Sequence, residues 1–436
     1  MALKLHLDNP EIAREFDALK ASLPGADQPW LNDLRSEAMA SFTDSGIPGP
    51  KVEEWKYTNL GFLARENFGL ASKAHGQSEI KDLFNRACFK NIAGPVIVFV
   101  NGYIHKSLSS LPDESSINLS IFSEQPQKFQ QDMMVTGGSS ALDNLNIAMV
   151  TDGYHIEISE KTSSSIQIIH LATSDTHMQS LRLRGRVSVG RGACGKIIES
   201  FMGPDGARYW CHMVGHVELA EDAQLEICQY QMQGKQAIHM TELHTTIADR
   251  AKFSHMSLQL GAELSRTELV SSFTGEFAHV DLRGAYLGRV KQSHDIFTRI
   301  NHDRPNCQSN QIFRGVLDEG GKSAFQGKVV VARNAQKTNA DQSNKNLLLS
   351  RKAEANAKPE LLIYADDVKC SHGATVGEID RDQLFYLNSR GLDEAGAKSL
   401  LVEAFISEVF DGMDDEILQQ RYRENTTGWL KREVTS

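Results

Sequence analysis

A short segment recurs along the middle of this chain: Val189-Gly190-Arg191-Gly192-Ala193, Leu219-Ala220-Glu221-Asp222-Ala223, Ile247-Ala248-Asp249-Arg250-Ala251 and Thr274-Gly275-Glu276-Phe277-Ala278. The closing alanines step by 30, 28 and 27 residues, and each segment follows one strand-like run and precedes another. A period of that length suits one coil of a β-solenoid, a unit that cannot bury its inward face alone and must stack on its neighbours. A β-sandwich with evenly spaced turns is the alternative, and the regular step favours the solenoid.

The texture around these segments sets the expected organisation. From Gly94 to Tyr364, short β-branched or aromatic runs alternate with turn residues, as in Pro95-Val96-Ile97-Val98-Phe99-Val100 before Asn101-Gly102. Upstream, Asn9-Pro10-Glu11 has the form of a helix cap followed by Pro at the first helical position, with Ile12, Phe16 and Leu19 behind it. A second helical pattern from Gln28-Pro29-Trp30 through Leu31, Leu34 and Met39 meets the breaker cluster Gly46-Ile47-Pro48-Gly49-Pro50. Downstream, Asp380-Arg381-Asp382-Gln383 leads into Leu384, Phe385 and Leu387 and closes at Gly391. Asp393-Glu394 then opens a helix whose wide apolar face, through Leu400, Leu401, Phe405, Ile406 and Val409, needs cover from its own domain or from a partner. The sequence therefore predicts a helical domain over 1–93, a parallel β-helix core over 94–364 and a helical domain over 365–436.

Composition narrows the class. With 40% hydrophobic and 23% charged residues and only 11 prolines, the chain is an ordered globular protein rather than a disordered one. A net charge of -10 argues against binding along a phosphate backbone, so nucleic acid is not an expected partner. No apolar run approaches bilayer length, and the start Met1-Ala2-Leu3-Lys4-Leu5-His6-Leu7-Asp8 lacks the apolar core of a signal peptide. A cytoplasmic protein with no membrane partner is the expectation. The six cysteines, Cys88, Cys194, Cys211, Cys228, Cys307 and Cys370, are too dispersed for a disulfide framework, and none forms a Cys-x-x-Cys pair.

Several motifs invite a catalytic reading and fail on context. Gly190-Arg191-Gly192-Ala193-Cys194-Gly195 fits G-x-G-x-x-G, but Lys196-Ile197-Ile198-Glu199-Ser200-Phe201 reads as a strand where a dinucleotide site needs a helix. In Gly315-Val316-Leu317-Asp318-Glu319-Gly320-Gly321-Lys322-Ser323, five residues rather than four precede Gly321, and two carboxylates stand where phosphate charge would sit. His212 and His216 lie roughly 13 Å apart on a strand, too far for one metal. Cys194, Cys211 and Cys228 recur every 17 residues without companion ligands, and are taken as structural. No G-x-S-x-G or H-E-x-x-H occurs. Because β-solenoids include polysaccharide-cleaving enzymes, a carbohydrate-active enzyme is the second functional class, although no carboxylate cluster supports it.

The chemically densest stretch is Asp366-Asp367-Val368-Lys369-Cys370-Ser371-His372-Gly373-Ala374-Thr375-Val376-Gly377. If extended, it projects Cys370 and His372 to the same face, and a thiolate beside an imidazole suits iron. Two ligands do not complete a four-coordinate site. Either the pair is structural or the rest of the set comes from another chain or from sulfide, and spacing alone favours the structural reading.

That stretch, with Ile379-Asp380-Arg381-Asp382-Gln383-Leu384-Phe385-Tyr386-Leu387-Asn388-Ser389-Arg390-Gly391-Leu392 after it, resembles the hallmark of the SufB/SufD family of iron-sulfur cluster assembly scaffolds. Phe313-Arg314-Gly315-Val316, Asn334-Ala335-Gln336-Lys337-Thr338 and Glu53-Glu54-Trp55-Lys56-Tyr57-Thr58 match its pattern too. Two places bear on the branch. Cys370-Ser371-His372-Gly373 lacks the acidic residue that SufB-like chains place beside the histidine. The chain also has no cysteine between Cys307 and Cys370, where SufB-like chains carry one near Asp341-Gln342-Ser343-Asn344-Lys345-Asn346-Leu347. Both resemble the SufD branch, and the SufB branch is the alternative.

The resemblance implies a mainly β fold, a right-handed parallel β-helix between helical end domains. It implies a non-catalytic subunit of a complex with SufB and with SufC, the ATPase, and a possible homodimer when isolated. Leu401, Phe405 and Val409 become candidates for docking SufC. His372, with Cys370 beside it, becomes the candidate metal ligand for a nascent iron-sulfur cluster or iron, held transiently and shared with SufB, so that none is expected in the isolated chain.

Overall fold

Each recurrent segment turns a corner of a coil. In the computed structural model, which describes residues 6–431 except 74, 75, 137, 139, 176, 412 and 414, Gly192, Asp222, Arg250 and Phe277 hold left-handed φ angles of 68°, 61°, 57° and 57°. The alanine after each is buried. The left-handed residue aims its N–H along the stack: Gly192 donates to the carbonyl of Glu221, Asp222 to that of Asp249 and Arg250 to that of Glu276. For a non-glycine residue this conformation costs roughly 1 kcal/mol, offset here by a hydrogen bond to the next coil. The same corner recurs at Asn306 and Lys337, with φ of 61° and 59°. There Cys307 and Thr338 replace the alanine, and the change of residue type hides both coils from the sequence repeat. The opening Met1 to Leu5, where the absence of a signal-peptide core was noted, lies outside the described residues.

Between corners the chain forms two ten-stranded sheets. From its last strand to its first, one contains Lys369–Glu378, Asn339–Leu348, Gln308–Leu317, His279–Gly288, Lys252–Gln259, Gln224–Met232, Cys194–Met202, Ile166–Leu171, Val96–Val100 and Tyr103–Ile104. The other runs from Glu354–Ile363 and Lys322–Val331 through Ser293–His302, Leu264–Phe273, Ile238–Ile247, Tyr209–Leu219, Gln179–Val189 and Asp152–Ile158 to Ile117–Ile121, with Gly69–Leu70 pairing beside Gln179–Val189. Consecutive coils pair in parallel; Tyr103–Ile104 and Ile117–Ile121 are antiparallel. The fold is thus a mainly β parallel solenoid with helices at both ends of the chain.

The core lies between the sheets, where Ile197, Ile227, Leu282, Ile296 and Phe325 share one cluster. Along one inward-facing column the paired residues are Ile166, Ile197, Ile227, His255, Leu282, Gln311, Gln342 and His372. The lumen therefore changes from aliphatic to polar as it nears the last coil.

Helices cover the outer faces. α1 (Pro10–Leu19), capped by Asn9, and α2 (Pro29–Ser45), ended at Gly46, precede α3 (Gln77–Ala87). α4 (Gln130–Thr136) and α5 (Ala141–Met149) interrupt the region read as strands. In α5, Leu142, Leu145, Ile147, Ala148 and Met149 are all buried, and so are Asp143 and Asn146, which accept from Arg184. α2 and α5 pack with Trp210, Ile238 and Met240 on the outside of the second sheet. The Glu53-to-Thr58 motif fastens this unit to the solenoid: Trp55 lies 3.8 Å from the Arg266 guanidinium, and both Arg266 and Gln326 donate to the carbonyl of Glu54, at 2.9 and 3.0 Å. Thr58 donates to Asp295, and Lys358 pairs with Glu53.

The solenoid runs on past residue 364, because Lys369–Glu378 continues the first sheet before α6 (Arg381–Ser389), α7 (Glu394–Phe410) and α8 (Glu416–Lys431). Asp380 and Asp393 cap α6 and α7. Val402, Ile406, Val409, Phe410, Leu418 and Tyr422 from α7 and α8 pack on the outside of the first sheet against Cys228, Tyr230 and Leu258. Among the described residues no helix is long and apolar enough to cross a membrane.

Candidate functional site at the solenoid mouth

Strand Lys369–Glu378 ends its sheet, so one of its sides carries no partner strand. Cys370 pairs with Ala340 and His372 with Gln342, which puts both side chains in inward-facing columns at the mouth of the lumen. Ser371 faces the other way, and its hydroxyl donates to Asp341 at 2.6 Å. Cys370 is half-buried against Val329, Val331, Ala340 and Ala365, whereas His372 is exposed. Burial pushes the Cys370 thiol up, a backbone hydrogen bond at Ala340 opposes this, and the nearby Asp341 charge adds to the rise. The pair offers one sulfur and one nitrogen donor, a set that suits iron. Among the described residues no group of three or more His, Cys, Asp or Glu is placed to hold a metal ion. Two donors alone do not close a four-coordinate site.

The rung below is made of amides. Gln342, Asn344 and Asn346 alternate along strand Asn339–Leu348, all buried and all inward. The sequence reading passed over them, although three amides at alternate positions of one strand are a legible sign of a polar lumen.

The second free edge belongs to Glu354–Ile363. Leu362, Ile363, Tyr364 and Val376 are exposed around the mouth, an apolar rim beside two unpaired strand edges.

The residues expected to dock a partner divide. Val409 is 0% exposed and packs against the solenoid, so it is not available to another protein. Phe405 packs partly on the same cluster and Leu401 is half-buried. A wide apolar face on a helix does not say which part its own domain covers. The exposed apolar side chains here lie instead on α6, on the loop after it and within α7: Phe385 at 74% and Tyr386, then Leu392, then Leu400. α6 buries no residue. These helices are held to the solenoid by Arg314, which is fully buried and donates to Glu408 of α7 at 3.0 Å and to the carbonyl of Ser343 at 3.3 Å. Tyr422 of α8 donates to the carbonyl of Gln229 at 3.1 Å.

The other motifs resolve structurally. Gly192 turns the corner before strand Cys194–Met202, where a dinucleotide site needs a helix, and Glu319 and Gly320 form the turn before Lys322–Val331. Cys211 faces the lumen, its thiol pushed up to about 12 chiefly by burial, and Cys228 faces the C-terminal helices, so the evenly spaced cysteines share no site. Of the histidines, stacking brings together His216 and His244, on neighbouring strands with ring centres 5.2 Å apart.

The fold defines a parallel β-solenoid protein with Cys370 and His372 on the last strand of one sheet, at an open end. The SufBD core domain of the SUF system for FeS cluster assembly matches residues 170–405, and the SufBD protein N-terminal region matches residues 11–168. An iron-sulfur cluster assembly SufBD family protein of Synechocystis is 30% identical over 447 residues, covering 97% of each chain. The iron-sulfur cluster assembly protein SufD of Escherichia coli is 28% identical over 86% of this chain and 88% of its own, and that of Bacillus subtilis is 24% identical over 89% and 91%. The chain belongs to the SufBD family of iron-sulfur cluster assembly proteins.

Proposed function

We propose that this chain is the SufD-type, non-catalytic scaffold subunit of a complex with a SufB-type subunit and the SufC ATPase, working in the cytoplasm. The observation that carries this reading is the Cys370 and His372 pair at an open solenoid end: two donors face a lumen mouth whose strand edges are free to meet another chain. A nascent iron-sulfur cluster or iron is the cargo, and a SufB-type subunit would supply the other ligands. Only the neutral imidazole of His372 offers a lone pair to iron. Cys370, with its proton held by burial, must release that proton to bind, so its contribution grows with pH. The exposed side chains of Phe385, Tyr386, Leu392 and Leu400 favour α6 and α7 as the face for SufC, with Leu401 and Phe405 at its margin. ATP-driven pairing of SufC would then pull on helices tied to the solenoid through Arg314.

The test is reconstitution. His372→Ala should keep the three-subunit complex intact but lower the iron and sulfide it accumulates; a normal yield in that complex would remove His372 from the ligand set. A pull-down with SufC and SufB candidates checks the partners, and failure to recover either would count against the assembly itself.

A further inference from the structure

The amides of the rung below the mouth are unequally satisfied. Asn346 Nδ2 donates to Asn344 Oδ1 at 2.7 Å, Asn344 Nδ2 donates to Tyr286 Oη at 2.9 Å, and Tyr286 Oη donates to Asn346 Oδ1 at 2.8 Å. Gln342 stands outside this ring. It is 3% exposed, and neither its Nε2 nor its Oε1 has a hydrogen-bond partner among the described residues. Its side chain crosses the lumen to Gly327, where an added Cβ would lie 2.0 Å from Gln342 Nε2; the glycine leaves room for the amide. One strand deeper in the same column, Gln311 Nε2 is also unpartnered, although Gln311 Oε1 accepts from Thr298 at 2.6 Å.

A buried amide left without partners costs about 1–3 kcal/mol, and native interiors leave few of them. Gln342 is paired in register with His372, so a group entering at the mouth meets its amide next. We propose that Gln342 is a further contact of the His372 site, its Nε2–H donating to an anionic sulfur, sulfide or thiolate, held there. The inference rests on the proposed role of the mouth as an iron-sulfur site. An amide is a poor ligand where sulfur and imidazole bind iron, but its N–H is suited to a charge-assisted hydrogen bond with sulfur. Such bonds stabilise the more negative, reduced state and raise the reduction potential.

The experiment uses the assembled complex loaded with iron and sulfide, comparing wild type, Gln342→Met and His372→Ala. Methionine matches the length and apolar bulk of glutamine without its donor. Gln342→Met should lower the midpoint potential of the bound cluster and speed loss of iron to a chelator by about fivefold, the worth of one hydrogen bond. Loss of loading by a folded Gln342→Met complex is the stronger form of the same result. If Gln342→Met does not fold, Gln342→Leu, which removes both N–H donors without adding a charge, must lower the potential too. An unchanged potential and chelation rate, with loading still lost in His372→Ala, overturns the contact and leaves the site reading intact. Normal loading in His372→Ala overturns the site reading and this inference with it.

Discussion

Cys370 and His372 differ in how much of each the chain covers, and that difference governs their chemistry. The Cys370 thiol, pushed up by burial, should be a slow nucleophile at neutral pH, because only the thiolate reacts. Its alkylation, followed on the Cys370 peptide by mass spectrometry, should lag that of a free thiol at pH 7 to 8 and gain on it as the pH rises; equal rates at neutral pH would contradict the burial. The strand period was enough to place Cys370 and His372 on one face from sequence. Which face was not legible, since inward or outward follows from pairing with Ala340 and Gln342 on a strand about 30 residues earlier. Gln342 escaped notice for a related reason: an orphaned amide is a property of its surroundings, and sequence carries only its identity.

At the scale of elements, the Glu53-to-Thr58 motif turns out to be an attachment. Trp55 is buried and lies over Arg266, and its neighbours hold strands from three further coils. Trp55→Ala should destabilise the N-terminal helical unit by about 3 kcal/mol, visible as a lower unfolding midpoint and as faster proteolysis near Gly46 to Pro50 while the solenoid signal persists. A single cooperative transition at the wild-type midpoint would argue that the motif binds something other than its own chain. Legibility varied with the kind of signal. The corners stood out where the inner residue stayed alanine and vanished where Cys307 and Thr338 took its place. α5, short and buried on most sides, was hidden among strands, whereas α8, which buries Leu418 and Tyr422, carries a cap in Asp415, whose carboxylate accepts from the N–H groups of Ile417 and Leu418.

The whole solenoid carries a cost in acid. His239 and His302 are held down to about 3, and His255 and His294 to about 4, chiefly by burial in the lumen. Their folded values lie below the unfolded value near 6.5, so the unfolded chain takes up protons first. Stability is fully present above about pH 6.5 and is lost as pH falls towards 4 and then 3, by about 1.4 kcal/mol per pH unit for each histidine. Denaturant midpoints should fall steeply between pH 6.5 and 4; a flat profile there would mean that these histidines reach water. The two tips of the molecule are unlike. At the first, antiparallel Ile117–Ile121 and the two-residue strand Tyr103–Ile104 fold over the ladder, while at the last two ten-residue strands end bare. A rod that is adhesive at one tip only can be joined once: a second rod, identical or merely related, consumes both bare strands and leaves no foothold for a third.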